Sequence, residues 1–245
     1  MNSQLNSFMR IKLRATAIFY FLLLTIAMLE LHELVHIIVG RLICGCWGTR
    51  DFNVWNLCEG CGENHSLAWL ATLAGPICSF ALMWLGMLLL YLKDSCKKAV
   101  GFSLVFANIP FGRISQVMKG AGDEMVVARQ LLKHLFSTAQ ITMLCSVMVA
   151  FVILPPIVKA FSVINHRRRW LYIIGFLTLP LLFILLYILI GMNSLLNSGF
   201  LSQAWIMGTP ILITVHTCLV IFLLVVMRKN IYKLFTPPVV VVAGS

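Results

Sequence analysis

The stretch ATAIFYFLLLTIAMLELHELVHIIVGRL, residues 15–42, decides what kind of molecule this is. Its first half carries no charge, while its second half carries Glu30, His32, Glu33, His36 and Arg41. As a helix this stretch would reach roughly 42 Å at about 1.5 Å per residue, enough to cross a bilayer. The rest of the chain agrees: of 245 residues, 60% are hydrophobic and only 11% charged. Soluble domains run nearer a quarter charged, so a soluble body of this composition would lack the polar surface to cover its core. Intrinsic disorder is excluded by the same numbers. The fold class expected is all-α: a polytopic integral membrane helical bundle of about six transmembrane segments, one of them broken or re-entrant.

Outward from that segment, residues 1–14 read as a basic tail. The first apolar run has basic flanks at Arg10, Lys12 and Arg14 but no small-residue cleavage site after it, so it reads as a retained span, not a signal peptide. A loop from Ile43 to Ser66, rich in Gly, Cys, Asn and Asp, alternates too weakly to establish a hairpin. Leu67–Leu92 is an uncharged second span. Ala99–Gly112 is uncharged over only about 21 Å of helix, too short to span alone, and ends in Asn-Ile-Pro-Phe-Gly before a Gly-Ala-Gly-Asp-Glu turn at 120–124. Such an element is tolerated at membrane depth only where protein buries it or it lines a wet cavity. An amphipathic stretch, Met125–His134, and spans at Ala139–Val158, Trp170–Met192 and Ala204–Met227 follow. The chain divides into the 1–14 tail, a membrane core at 15–136, C-terminal spans at 137–227 and a basic 228–245 tail closing on the apolar Val239–Ala243. No internal repeat is visible.

The net charge of +11 invites a nucleic-acid reading, but the 19 Lys and Arg fall almost wholly between apolar spans. There they set topology and meet anionic lipid, and no groove-reading or base-stacking motif accompanies them. Basic residues gather in the N-terminal tail, at 93–98, at 159–169 and after 227, and are absent from 192–205. The positive-inside rule then places both termini in the cytoplasm.

The sharpest chemical signal is His32-Glu33-Leu34-Val35-His36, an H-E-x-x-H sequence. Histidines at i and i+4 lie only about 40° apart around a helix, so both imidazoles can meet one zinc ion (Zn2+). The glutamate between them projects beside that face, where it can take a proton from water. Charges at bilayer depth cost on the order of 2.5–3.5 kcal/mol each, so this span needs an interior partner, which a metal supplies. Interfacial solvation explains tolerance of the charges but not their spacing. A catalytic zinc takes three protein ligands, and Asp123 is the best third candidate; Glu124, His65, His134 and His216 are weaker ones. On spacing alone Asp123 serves equally as the N-cap of a following helix.

These residues together resemble the site-2 protease family of intramembrane zinc metalloproteases. The H-E-x-x-H lies late in a membrane helix. Ala74-Gly75-Pro76-Ile77-Cys78-Ser79-Phe80 is similar to the family's Gly-Pro-x-x-Asn element, and Asn108-Ile109-Pro110-Phe111 followed by Gly122-Asp123 to its Asn-x-x-Pro stretch and Asp-Gly pair. The likeness covers roughly residues 16–135. It implies that His32, His36 and Asp123 bind zinc and that Glu33 is the general base. Asn108, with Pro110, Gly75 and Pro76, would hold substrate or orient the metal shell. The reaction implied is hydrolysis of a peptide bond in or near a transmembrane segment of a protein substrate, within the lipid bilayer. The chain departs from the pattern at Glu124, where the family has glycine, and at Ser79, near the expected asparagine. In the family the motif helix ends toward the cytoplasm, opposite to the orientation that the charges suggest.

Cys44, Cys46, Cys58 and Cys61 share one loop and can form two disulfides, a four-thiolate zinc site or free thiols. Cys78, Cys145 and Cys218 read as packing residues. Glu30 lies about 160° from His32 and is expected to hydrogen-bond within the bundle. Two other functions remain compatible with the sequence: a catalytically inactive relative acting as a scaffold or regulator, and a cation transporter, for which no inverted repeat is found.

Overall fold

The computed structural model describes residues 10–236; residues 1–9 and 237–245, including Val239–Ala243, lie outside the described residues. Helix α1 (Ala15–Cys44) runs unbroken for 30 residues. It stops where Gly45 takes a left-handed φ of 74° and returns its N–H to the Arg41 carbonyl, with Arg41 itself at the negative end of the helix dipole. Strand β1 (Arg10–Ile11) precedes it.

The loop after α1 does hold a hairpin. Strands β2 (Thr49–Arg50) and β3 (Trp55–Asn56) pair antiparallel, Thr49 opposite Asn56 and Arg50 opposite Trp55. Strands this short cannot display alternation. The turn is closed by Asp51, whose Oδ1 accepts the N–H groups of Asn53 and Val54 at 2.8 and 2.7 Å. A short α2 (Cys61–Asn64) follows, and disulfides Cys44–Cys61 and Cys46–Cys58 tie the end of α1 to the far side of the hairpin. Of the three cysteine states left open by spacing, the chain adopts the disulfides.

Helix α3 (Trp69–Tyr91) returns and crosses α4 (Ser95–Ala107) at glycines: a Cβ on Gly86 would lie 2.7 Å from the carbonyl of Gly101. Asp94 caps α4, accepting the N–H of Cys96 at 2.7 Å. The expected break falls at Asn108–Ile109. Ile109 is left-handed (φ 52°, ψ 55°) and Pro110 opens α5 (Pro110–Met118). Proline offers no N–H and disfavours helical backbone before it, so the helix cannot continue through this point. α4 is buried by its neighbours, with Ala99, Phe102, Val105, Phe106 and Ala107 fully inaccessible. Two left-handed glycines, Gly120 and Gly122, turn the chain into α6 (Asp123–Leu132).

Helix α7 (Thr138–Val163) begins with a Ser137–Gln140 capping box. Helix α8 (Arg169–Phe183) continues through a π-helical segment, Ile184–Met192, into α9 (Asn193–Asn197). The last span was expected from Ala204, but α10 is Ile211–Val226. Hydropathy does not register what precedes it: an Ala204–Pro210 bridge, left-handed Met207 and Gly208, and a proline that opens the helix. Nor is the chain after 227 a free tail through 236. A 3₁₀ segment, Arg228–Leu234, packs on α1 and α4, and β4 (Phe235–Thr236) pairs with β1, bringing both described ends together.

Among the described residues, four rods are long and apolar enough to cross a membrane: α1, α3, α7 and the continuous Arg169–Asn197. Two packed clusters set the site. Phe21, Phe102 and Phe176 join α1, α4 and α8 edge to face, with centroids 5.0–5.1 Å apart. Met83, Val117, Met125 and Ile141 join α3, α5, α6 and α7, and so hold the start of α6 against α1.

Candidate metal centre

Helical spacing puts His32 and His36 on one face of α1, both buried, with their Nε2 atoms 3.0 Å apart. Asp123, the first residue of α6, reaches the same point: its Oδ2 lies 3.1 Å from Nε2 of His32 and 3.3 Å from Nε2 of His36. The N-cap of α6 is Gly122 and makes no side-chain cap, so the alternative role for Asp123 is not the one adopted.

The tautomer of His36 follows from its surroundings. Its Nδ1 lies 2.6 Å from the carbonyl of Ala71, which can only accept, so the proton sits on Nδ1 and the Nε2 lone pair faces the cluster. Trp55 of the hairpin stacks on the same ring. Gly75 supplies the space behind: a Cβ there would overlap the His36 imidazole and lie 2.7 Å from Cε1 of His32. Glycine is therefore required by close approach, and Pro76 beside it is buried within α3.

Three donors on a tetrahedral ion with bonds of about 2.0–2.1 Å stand about 3.3 Å apart, close to the spacings of this triangle. Two imidazole nitrogens and a carboxylate suit a divalent cation, and His32 and Asp123 both line a cavity of about 540 Å³. Glu33 lines that cavity, and its Oε2 is buried without a hydrogen-bond partner among the described residues. Asn108 lines it too. Its Nδ2 donates to the Leu104 carbonyl at 2.8 Å, leaving Oδ1 unpartnered among the described residues. Pro110 contributes by enforcing the break that exposes Asn108 to the cavity.

The remaining candidates go elsewhere. Glu124 pairs with Arg113 at 3.3 Å, His216 meets the Tyr187 hydroxyl at 3.1 Å, and His65 and His134 are exposed. Glu30 faces away, as its helical angle requires, in a buried ion pair with Arg50 and a 3.1 Å hydrogen bond from Thr217. Several contributors lay outside the sequence reading. Trp55 and Asn53 enter from the hairpin, and Asn53 is fixed by Asn193 at 2.5 Å. Leu181 and Ile184 of the C-terminal half wall the cavity. No family model matches the chain, and no curated protein or solved structure matches it significantly.

Proposed function

We propose that the chain is an intramembrane zinc-dependent endopeptidase that cuts a transmembrane protein substrate. The observation carrying this reading is the convergence of His32, His36 and Asp123 on one point beside the unpartnered carboxylate of Glu33. His32 and His36 would hold zinc through Nε2 and Asp123 through Oδ2. A bound zinc ion supplies a Lewis acid that polarises the scissile carbonyl and eases ionisation of water near neutral pH. Glu33 takes the proton from the attacking water at Oε2 and returns it to the leaving amide nitrogen. Asn108 offers Oδ1 to a backbone N–H of an unwound substrate segment, and the apolar walls from Met28, Leu29 and Leu181 keep bulk water out.

The reading extends to topology. α1, α3, the α4–α5 pair, α7, the α8–α9 rod and α10 would serve as six passes, and an even number fits the pairing of β1 with β4. We place the 43–66 loop on the non-cytoplasmic side. Its two disulfides persist only in an oxidising compartment, and the basic clusters favour the same orientation. This sets the motif end of α1 opposite to the side implied by the family likeness.

The test is cleavage of transmembrane-segment peptides in liposomes by wild type and Glu33→Gln. Cleavage by wild type, abolished in Glu33→Gln while zinc content is kept, supports the proposal. Cleavage that survives Glu33→Gln, or wild type that binds zinc and cuts no segment, refutes it.

A further inference from the structure

The starts of α1 and α8 lie side by side and leave a cavity of about 680 Å³ between them. Leu13, just before α1, and Ile18 form one wall; Leu171, Gly175, Thr178 and Leu182 form the other. The last four recur at i, i+4, i+7 and i+11, an exposed stripe along α8 about 16 Å long. The hydroxyl of Thr178 is already satisfied, donating to the Ile174 carbonyl at 2.9 Å. Gly175 lies mid-stripe, and a Cβ built on it would meet no atom within 4 Å. A glycine inside a helix weakens that helix relative to alanine, and no packing contact within the chain calls for this one.

Arg168 and His166 line the same cavity at the beginning of α8. The backbone N–H of Arg168 donates to Nδ1 of His166 at 3.0 Å, so the imidazole proton sits on Nε2 as a second donor. Arg167, Arg168 and Arg169 crowd the positive end of the α8 dipole, whose first turn holds no acidic residue. Arg169 is turned over the Phe161 ring, and among the described residues no carboxylate pairs with these arginines. This end of the cavity therefore favours an anion. The stripe favours an alkyl chain, and its length matches the depth of one leaflet, about half of a hydrocarbon core about 30 Å thick. An anionic phospholipid carries both groups in that order. In the topology proposed above this end is cytoplasmic, where the leaflet carries negative lipid.

We propose that the groove between the starts of α1 and α8 binds one anionic phospholipid, its phosphate held by Arg168 and His166 and one acyl chain laid along Leu171, Gly175, Thr178 and Leu182. Thr178 and Leu182 also line the cavity beside Glu33, so the far end of the acyl chain abuts that cavity. The site goes beyond the zinc reading and does not depend on it, so its test measures neither metal nor cleavage.

Full-length protein in detergent is titrated with phosphatidylglycerol and, separately, with phosphatidylcholine of the same acyl chains, and bound lipid is counted by native mass spectrometry. Wild type binds one phosphatidylglycerol about fivefold or more tightly than phosphatidylcholine. Arg168→Gln loses about fivefold in affinity for phosphatidylglycerol, whereas Arg167→Gln, whose arginine does not line the cavity, loses less than about twofold. Gly175→Leu fills the groove and displaces about two methylenes of the chain, weakening both lipids about tenfold with no loss of melting temperature. Equal affinity of wild type for the two lipids, or equal losses in Arg167→Gln and Arg168→Gln, reduces the arginines to a general basic surface and overturns the site. Wild-type lipid binding in Gly175→Leu overturns it as well, and a simultaneous loss of cleavage in that variant would give the groove to a substrate segment instead.

Discussion

Trp55 lies flat on His36, ring centroids 4.6 Å apart and planes within 10° of parallel, although one sits on a hairpin and the other in the middle of α1. The hairpin is held down at several points. Phe52 is buried against Ile184 and Ile213, Arg50 pairs with Glu30, and two disulfides close its base. The cover of the site is therefore built from the loop, not from the apolar spans. A stacked pair of this kind contributes about 0.5–1.5 kcal/mol. Trp55→Ala is expected to weaken zinc binding about two- to tenfold in a chelator competition, with the larger effect on zinc dissociation.

The disulfides should act on the centre through that cover. Replacing Cys46 and Cys58 together by serine, or reducing both bridges with excess dithiol, frees the hairpin from the end of α1. We expect faster zinc loss to a chelator and a lowered melting temperature, both followed on the same sample. Zinc loss at the wild-type rate after complete reduction would show that Phe52 and Arg50 suffice to hold Trp55 in place.

Gly75 is the tightest steric constraint at the site. A methyl group at this position enters the space of both imidazoles, and overpacking of this kind typically costs about 1–3 kcal/mol. Here the strain falls on the two imidazoles of the proposed metal centre. Gly75→Ala should therefore lose zinc by at least tenfold in affinity while its melting temperature drops only modestly. Elemental analysis and thermal denaturation of the variant check the two halves.

The Glu30–Arg50 pair makes a stability prediction independent of chemistry. Both side chains are buried, and the carboxylate also accepts from Thr217. Removing one partner leaves an uncompensated buried charge, at about 3–5 kcal/mol. Arg50→Met should destabilise strongly, and Glu30→Gln/Arg50→Met by clearly less. Thermal unfolding of the two variants decides it, and equal losses would contradict the pairing.

How much of this was legible in the chain varies by residue. The motif histidines are local: four residues on a helix fix their relation before any tertiary contact forms. The break before Pro110 is equally local, because proline removes a donor and restricts its neighbour. Asp123 is 91 residues from His32 in sequence, and only the packing of α6 on α3 and α7 decides between ligand and cap. Arg113 was hidden by its type, since a basic residue between apolar spans reads as a topology signal until Glu124 is seen beside it. The β2–β3 hairpin escaped because its strands are two residues long. The start of α10 was set too early because hydropathy averages over Pro210 and Gly208, whose backbone demands delay the helix.

The central claim is that one divalent ion sits between α1 and α6. Elemental analysis of wild type and of Asp123→Ala, purified in parallel without added metal or chelator, tests it most directly. The account predicts one zinc per wild-type chain and a small fraction of that in Asp123→Ala. No transition metal in the wild type, or an equal amount in both proteins, would contradict it.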